Sequence, residues 1–195
     1  MKKEKRLLTG REKFQENQKL IGFVIRITKI LPRSIRMFLW DWSSKYSQIL
    51  FIGFRYVLLR TLIKQCGNNV RIGTNVQIVN WKGLEIGDNV SIHANCYIDA
   101  AGEMEIGNNV SIAHNCSLLS TNHGWVDISL PIKYNPVSFG KVVINEDVWI
   151  GCGCRILSNV VIGSRSIIAA GAVVNKSIDS NSIYGGIPAR LIKKI

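Results

Sequence analysis

The sequence predicts a mainly β protein, a parallel β-helix of about five triangular coils with an N-terminal helical region ahead of it. Three observations lead there. An aliphatic residue recurs every six positions from Cys66 onward, a small or β-branched residue follows most of those slots by four, and Gly/Asn/Asp clusters separate them. Residues 1–65 form a basic helical cap or membrane-contact region. Residues 66–195 form the β-helix domain, with a loop over residues 124–141.

Composition limits the function first. With 195 residues, 47% hydrophobic and 19% charged, the chain can bury one substantial core and is too short for two large domains. Its net charge of +12 suggests nucleic acid, but residues 1–65 hold 15 Lys/Arg against 4 Asp/Glu, whereas residues 66–195 hold 10 against 9. The β-helix domain is nearly neutral and lacks the interleaved aromatics and cations of a single-strand groove, so nucleic acid is not its expected partner. Five cysteines, odd in number and without C-x-x-C spacing, argue against a disulfide framework or a zinc site and fit reduced thiols in the cytoplasm.

Residues 22–31 and 34–64 read as helices, the second with Ile35, Phe38, Leu39, Trp42, Tyr46, Ile49, Leu50 and Val57 on one broad face. Arg26 and Lys29 interrupt the first apolar run, which makes a poor signal peptide; Arg55 and Arg60 interrupt the second, which is too short to span a bilayer. Two roles stay open. A solenoid needs a cap over its open end. The mixture of Arg36, Lys45, Arg55, Arg60 and Lys64 with Phe38, Trp40, Trp42, Phe51, Phe54 and Tyr56 also suits an anionic membrane surface, at the inner face of the cell membrane.

The repeat reads as five triplets: Cys66, Ile72, Ile78; Ile86, Ile92, Ile98; Ile106, Ile112, Leu118; Ile144, Ile150, Ile156; and Ile162, Ile168, Val174. A period of six fits neither a helix nor a plain hairpin. It fits a chain that runs as a short strand, turns by about 120° and repeats, with the aliphatic side chain pointing inward and successive coils stacking as parallel strands. Clusters such as Gly67-Asn68-Asn69 and Gly87-Asp88-Asn89 supply corners that accept left-handed dihedrals. Cys96, Cys116 and Cys154 occupy the small +4 slots.

The repeat is broken only after third hexads, where the step is eight, eight and then 26 residues. Those breaks stack on one edge of the prism, the natural place for a cleft. The longest contains an 18-residue excursion over residues 124–141, with His123 at its base. A near-neutral proton acceptor is what removing a proton from a hydroxyl requires. Asp99 follows the inward Ile98 beside the same edge and could hold an acceptor hydroxyl or steer His123.

The segments STNHGW, VWIGCGCRILSNVVIG, IIAAGAVVNK and GGIPAR, in that order and spacing, resemble the galactoside and maltose O-acetyltransferase branch of the hexapeptide-repeat acyltransferases. The resemblance covers about two thirds of the chain and implies a left-handed helix, against the usual crossover rule. It implies His123 as general base, with acetyl-CoA as co-substrate in a groove lined by Trp149, Ala170 and Gly171. Backbone N–H groups at Gly151 and Cys152 would face the oxyanion, and Lys176 and Arg190 the cofactor's phosphates. Asn95 matches the family's acceptor-binding asparagine, although a corner asparagine in a left-handed turn would look the same. The resemblance further implies a homotrimer acting on a sugar or glycan hydroxyl, by direct transfer and without a metal. An amino sugar as acceptor, or a non-catalytic membrane scaffold, are the competing readings. Ala169 and Asn175 depart from the family's Gly and Thr. The N-terminal region resembles that of acetyltransferases of polysaccharide biosynthesis. His93 and His114 lack the H-x4-H spacing of the zinc carbonic anhydrases that share the fold and are expected to make surface or intersubunit hydrogen bonds.

Overall fold

The computed structural model describes residues 10–195; the first nine residues of the expected helical region lie outside it. Three helices come first, α1 (Gly10–Ile30), α2 (Arg33–Ser44) and α3 (Ile49–Leu62). The expectation of two helices is corrected twice. Helix α1 starts earlier because its first half is rich in Glu, Lys and Gln, good helix formers that leave little apolar periodicity to read. The stretch 34–64 is broken because Arg55 is buried, only 1% exposed, inside the cap. Its Nη1 donates to the carbonyls of Ser43 (2.7 Å) and Tyr46 (2.9 Å), and its Nε and Nη2 donate to Ile72 O, each at 3.1 Å. The guanidinium thus gathers the carbonyls of the turn that ends α2 and ties them to the first coil.

Helices α1 and α2 pack on α3, which packs on the first coil. Tyr56, Leu58, Leu59 and Leu62 join the same core as the coils, and Trp40 meets Trp81 edge to face at 4.9 Å. Several cations assigned from sequence to a membrane surface are used here instead. Besides Arg55, Arg36 donates to Thr61 O (2.6 Å), Arg60 to Gly67 O (3.0 Å), and Lys64 pairs with Glu85 at 2.7 Å. Trp40 and Tyr56 are buried; Lys45, Phe38 and Trp42 remain exposed.

From residue 65 the chain winds as a parallel β-helix, the fold class the repeat predicts, and it fits the left-handed form that the resemblance implies. The first coil holds β1 (Gln65–Cys66), β2 (Arg71–Ile72) and β3 (Gln77–Val79); the second, β4 (Leu84–Ile86), β5 (Ser91–Ile92) and β6 (Tyr97–Asp99); the third, β7 (Met104–Ile106), β8 (Ser111–Ile112) and β9 (Ser117–Leu119). A hairpin of β10 (Thr121–His123) and β11 (Val137–Phe139) intervenes. The fourth coil is β12 (Val142–Ile144), β13 (Trp149–Ile150) and β14 (Arg155–Ile156), and the fifth is β15 (Val161–Ile162), β16 (Ile167–Ile168) and β17 (Val173–Val174). A partial sixth turn, beyond the five expected, follows with the bridge of Ile178 to Ile162 and β18 (Ser182–Gly185) beside β16; β19 (Arg190–Lys194) then returns antiparallel to β18. It escapes the repeat because the step from Val174 to Ile178 is four residues, not six.

First, second and third strands of successive coils stack in register into three faces. Every aliphatic slot except the half-buried Cys66 is buried, and so are all the small +4 residues from Val70 to Ala172. Each fully buried aliphatic side chain contributes about 1.5–3 kcal/mol. The corners divide the work differently from what the clusters suggest. The asparagines take the left-handed conformation, as at Asn75 (φ 53°) and Asn95 (φ 59°). The glycines answer to close packing: a β-carbon on Gly73 would stand 2.6 Å from the Ala94 nitrogen of the next coil.

Candidate active site

The edge between the third face of one coil and the first face of the next, here the third edge, is where the repeat breaks. Its links are a short 3-10 turn (Trp81–Gly83), a tight turn at residues 100–103, and the β10–β11 hairpin. Asp99 joins all three. Its Oδ1 accepts from Asn80 Nδ2 (2.8 Å) and from the Ala101 N–H (3.1 Å), and its Oδ2 accepts from Thr121 Oγ1 (2.8 Å). Ser120 is fully buried; its Oγ donates to Asp99 O at 2.7 Å and accepts from the Gly102 N–H at 2.8 Å. Asp99 therefore makes no contact with His123, yet it fixes Thr121, two residues upstream.

His123 ends β10, opposite Val137, and is exposed. Beyond it the excursion is folded. Gly124 N donates to Pro136 O (3.0 Å), and the buried Asn135 donates through Nδ2 to Asp127 O (3.1 Å) and Leu130 O (3.2 Å). Trp125, Val126, Ile128, Ile132, Tyr134 and Phe139 on this hairpin face solvent. A cavity of about 670 Å³ opens on the same edge between the cap and the hairpin, lined by Arg33, Asn80, Trp81, Lys82, Ala101, Glu103 and Phe139 among others.

The second edge, between the second and third faces, carries most of the expected cofactor residues. Gly151 is buried; a β-carbon there would lie 2.6 Å from Ala170 N, and Gly171 N donates to Cys152 O at 2.8 Å. Gly151, Cys152, Ala170 and Gly171 thus meet across adjacent coils, with the exposed Trp149 leading into them on the second face. The left-handed position of this edge is Asn75, Asn95 and Asn115 in the first three coils, then Gly153 and Gly171. Asn75 donates to Asn95 Oδ1 at 3.3 Å, a side-chain link between the first two coils. Beyond it the edge is bare backbone, and a β-carbon on Gly171 would meet nothing within 4 Å.

One expectation is corrected here. The Gly151 N–H cannot serve an oxyanion, because it donates to Ile168 O at 2.8 Å within the coil ladder; Cys152 retains the candidacy. Asn95 and Asp99, expected together at the acceptor, lie on different edges of one chain. Nor are the two basic residues brought together: exposed Arg190 opens β19 beside the end of the second edge, whereas Lys176 follows β17 on the third edge. His93 and His114 are exposed on the second edge; partial desolvation, with help from the charges of Arg71 and His114, holds His93 below its ordinary pKa. Among the described residues no group of three or more His, Cys, Asp or Glu is placed to hold a metal ion.

A model of the bacterial transferase hexapeptide, six repeats long, matches residues 141–176. Residues 141–176 thus carry the repeat of the hexapeptide transferases. The chain's likeness extends to a maltose O-acetyltransferase from Clostridium difficile 630, with TM-score 0.73 and 27% identity over 86% of this chain and 88% of that one. A hexapeptide-repeat acetyltransferase from Vibrio cholerae O1 biovar eltor, solved in complex with acetyl coenzyme A, gives TM-score 0.72 and 26% identity over 83% and 86%. A Schizosaccharomyces pombe protein provisionally named an acetyltransferase is 34% identical over 156 residues, 80% of this chain and 55% of that protein. The chain spans about half or less of the length of the first curated relatives it matches.

In this hexapeptide-repeat chain, sequence reasoning missed Asn80, Ser120 and Thr121. Each lies in a broken link, where no period assigns a direction to a side chain. The signal available was that all three fall two or three residues after a third-face slot, Ile78 or Leu118, in links of the same edge that Asp99 adjoins.

Proposed function

We propose that the protein is an O-acetyltransferase that moves acetyl from acetyl-CoA to a sugar hydroxyl of a cell-surface polysaccharide or its precursor. His123 accepts the hydroxyl proton as the oxygen attacks the thioester carbonyl. The Cys152 N–H faces the oxyanion, and collapse expels the CoA thiolate, which takes the proton from the imidazolium. General-base help of this kind is worth roughly 10²–10⁴-fold. No covalent intermediate intervenes: its hydrogen bond with Cys116 and its burial hold the Cys154 thiol well above its ordinary pKa, away from the thiolate a nucleophile requires. The likeness to acetyltransferases, one of them holding acetyl coenzyme A, supports the donor.

The observation that carries this reading is the split of the site between two edges. His123 stands on the third edge, and the bare slot of Gly151, Cys152, Ala170 and Gly171 on the second. A complete site then needs the third edge of one copy against the second edge of another, which in a closed ring gives the homotrimer. The apolar side chains exposed on the hairpin support such a contact. The protein works at the inner face of the cell membrane as a peripheral protein. No described helix is long and apolar enough to cross a bilayer.

The test is CoA release across sugars, glycolipids and nucleotide sugars, with hydroxyl and amino acceptors offered in parallel and products weighed by mass spectrometry. Acetyl esters on the product are expected. Acetyl amides alone, or no CoA release with any acceptor, would remove the reading. Light scattering at assay concentration should give three copies, and an active monomer would contradict the shared site.

A further inference from the structure

Helix α1 is apolar on two sides. Phe14, Ile21, Ile25 and the buried Thr28 face the rest of the cap and the core. Leu20, Phe23, Val24, Ile27 and Ile30 fall, at 100° per residue, in a second arc about 120° wide. These side chains face solvent, with Phe23 60% and Ile27 50% exposed. The outward face of a surface helix is ordinarily polar, so this arc has no role in the single chain. Helix α2 carries an exposed apolar row of its own, Ile35, Phe38 and Trp42 at spacing i, i+3, i+7, with Phe38 67% exposed.

The charges around this surface have one sign. Residues 20–48 hold Arg26, Lys29, Arg33, Arg36 and Lys45 against the single acid Asp41. Arg36 is engaged with Thr61 O and the exposed Arg33 donates to Leu62 O at 3.2 Å, while Arg26, Lys29 and Lys45 are exposed.

We propose that the outer face of α1 and α2 is a docking surface for an anionic lipid bilayer, with α1 lying in the headgroup plane and Phe23 and Ile27 turned toward the acyl chains. Charge selects this occupant. A second copy seated on the same face would bring two cationic rims together, whereas anionic headgroups neutralise them. The surface differs from the one composition suggested, since Arg55, Arg60 and Lys64 serve the cap. It also has a bearing on the acceptor, a step that rests on the acetyltransferase reading. Arg33, which opens α2 at the rim of this face, lines the third-edge cavity, so a sugar carried on a lipid reaches that cavity without leaving the surface.

The experiment is co-sedimentation of the purified full chain with vesicles of phosphatidylcholine alone or with about one third phosphatidylglycerol. Binding to the anionic vesicles is expected to exceed binding to neutral ones by at least about tenfold, and about 0.5 M salt should weaken it by screening. Phe23→Asp with Ile27→Asp should lower anionic-vesicle binding by at least about tenfold. Ile187→Asp with Ile192→Asp, which makes the same charge change on exposed residues at the other end of the prism, should lower it by less than about threefold. Light scattering without lipid should show the stripe variant at wild-type mass, and CoA release with a soluble sugar should be retained, which separates loss of docking from failure of the acetyltransferase reading. No sedimentation with anionic vesicles, equal sedimentation with both, unchanged binding by the stripe variant, or a fall in its oligomeric mass would each overturn the proposal.

Discussion

The second and third edges of the prism join equivalent faces, yet they are built on opposite terms. On the second edge every coil turns in the same number of residues, with its left-handed residue at Asn75, Asn95, Asn115, Gly153 and Gly171 in one column. On the third edge the first three links differ from one another, and the last of them is a hairpin. Regularity leaves the second edge no freedom to place a new side chain, but it fixes backbone to within a hydrogen-bond length from coil to coil. Irregularity frees the third edge from the ladder. Asn80, Asp99 and Thr121 then use their side chains on one another, and His123 is carried outward. A thin flexible ligand arm suits the first kind of edge. A reacting group that must be aimed suits the second.

The largest effect should come from the irregular edge. His123→Ala is expected to lower turnover by at least about 100-fold while leaving acetyl-CoA affinity nearly unchanged, because the base acts on the acceptor. Steady-state kinetics with calorimetric binding of CoA would decide it. A variant that keeps most of its turnover would mean that the third edge carries no proton transfer.

On the regular edge the largest effect should be on stability. Gly151→Ala pushes a methyl against Ala170 N, 2.6 Å away and held in the next coil, so something must shift. Overpacking of this kind costs roughly 1–3 kcal/mol. Thermal and denaturant unfolding are the measurements, and an unchanged midpoint would show that adjacent coils give way here. How much was legible from sequence follows the same division. The fifteen slots and the small +4 column were readable because a solenoid assigns every side chain in a regular coil the same surroundings as its equivalents above and below. The helical break at residues 45–48 was not, because it depends on Arg55 reaching carbonyls of α2 and of the first coil, a contact with no period. His123 and Asn95 were separable in the sequence, since one follows the third-face slot Leu118 and the other the second-face slot Ile92; the bonds of Asp99 to Asn80 and Thr121 were not, because side chains in a broken link have no period.

Gly171→Asn sets the two properties of the second edge against each other. Asparagine already takes this conformation at Asn75, Asn95 and Asn115, and a β-carbon on Gly171 meets nothing within 4 Å. The fold should accept the change within about 1 kcal/mol. If the bare backbone is the slot for the pantetheine arm, the new side chain should raise the acetyl-CoA KM by about tenfold, with the acceptor KM unchanged. The reverse change, Asn95→Gly, should leave the acetyl-CoA KM where it was. Equal KM values in wild type and Gly171→Asn would remove the slot from this edge.

The smallest expected effect lies where the second edge ends. The cofactor's phosphates need cations, and residues 66–195 supply only a net charge of +1, from 10 Lys/Arg and 9 Asp/Glu. Lys194 is already paired with Asp179 at 3.0 Å, and Lys176 stands on the third edge. Arg190 remains. It opens β19 opposite Gly185, and Ala189 before it is pinned to the fifth coil by a 2.8 Å hydrogen bond from its N–H to Val173 O. Its Nη1 donates to Ala189 O at 2.9 Å, which orients a guanidinium that is otherwise exposed. An exposed charge contact is worth about 0.2–1 kcal/mol, so Arg190→Ala should raise the acetyl-CoA KM by only about two- to fivefold. Turnover and the acceptor KM should stay put, since the phosphates are held equally before and during transfer. Lys176→Ala, on the other edge, should do less. If the two substitutions raise the KM equally, the phosphates are not held at the end of the second edge; if Arg190→Ala lowers turnover instead, this residue acts on the transfer step and the division of labour between the edges is wrong at its C-terminal end.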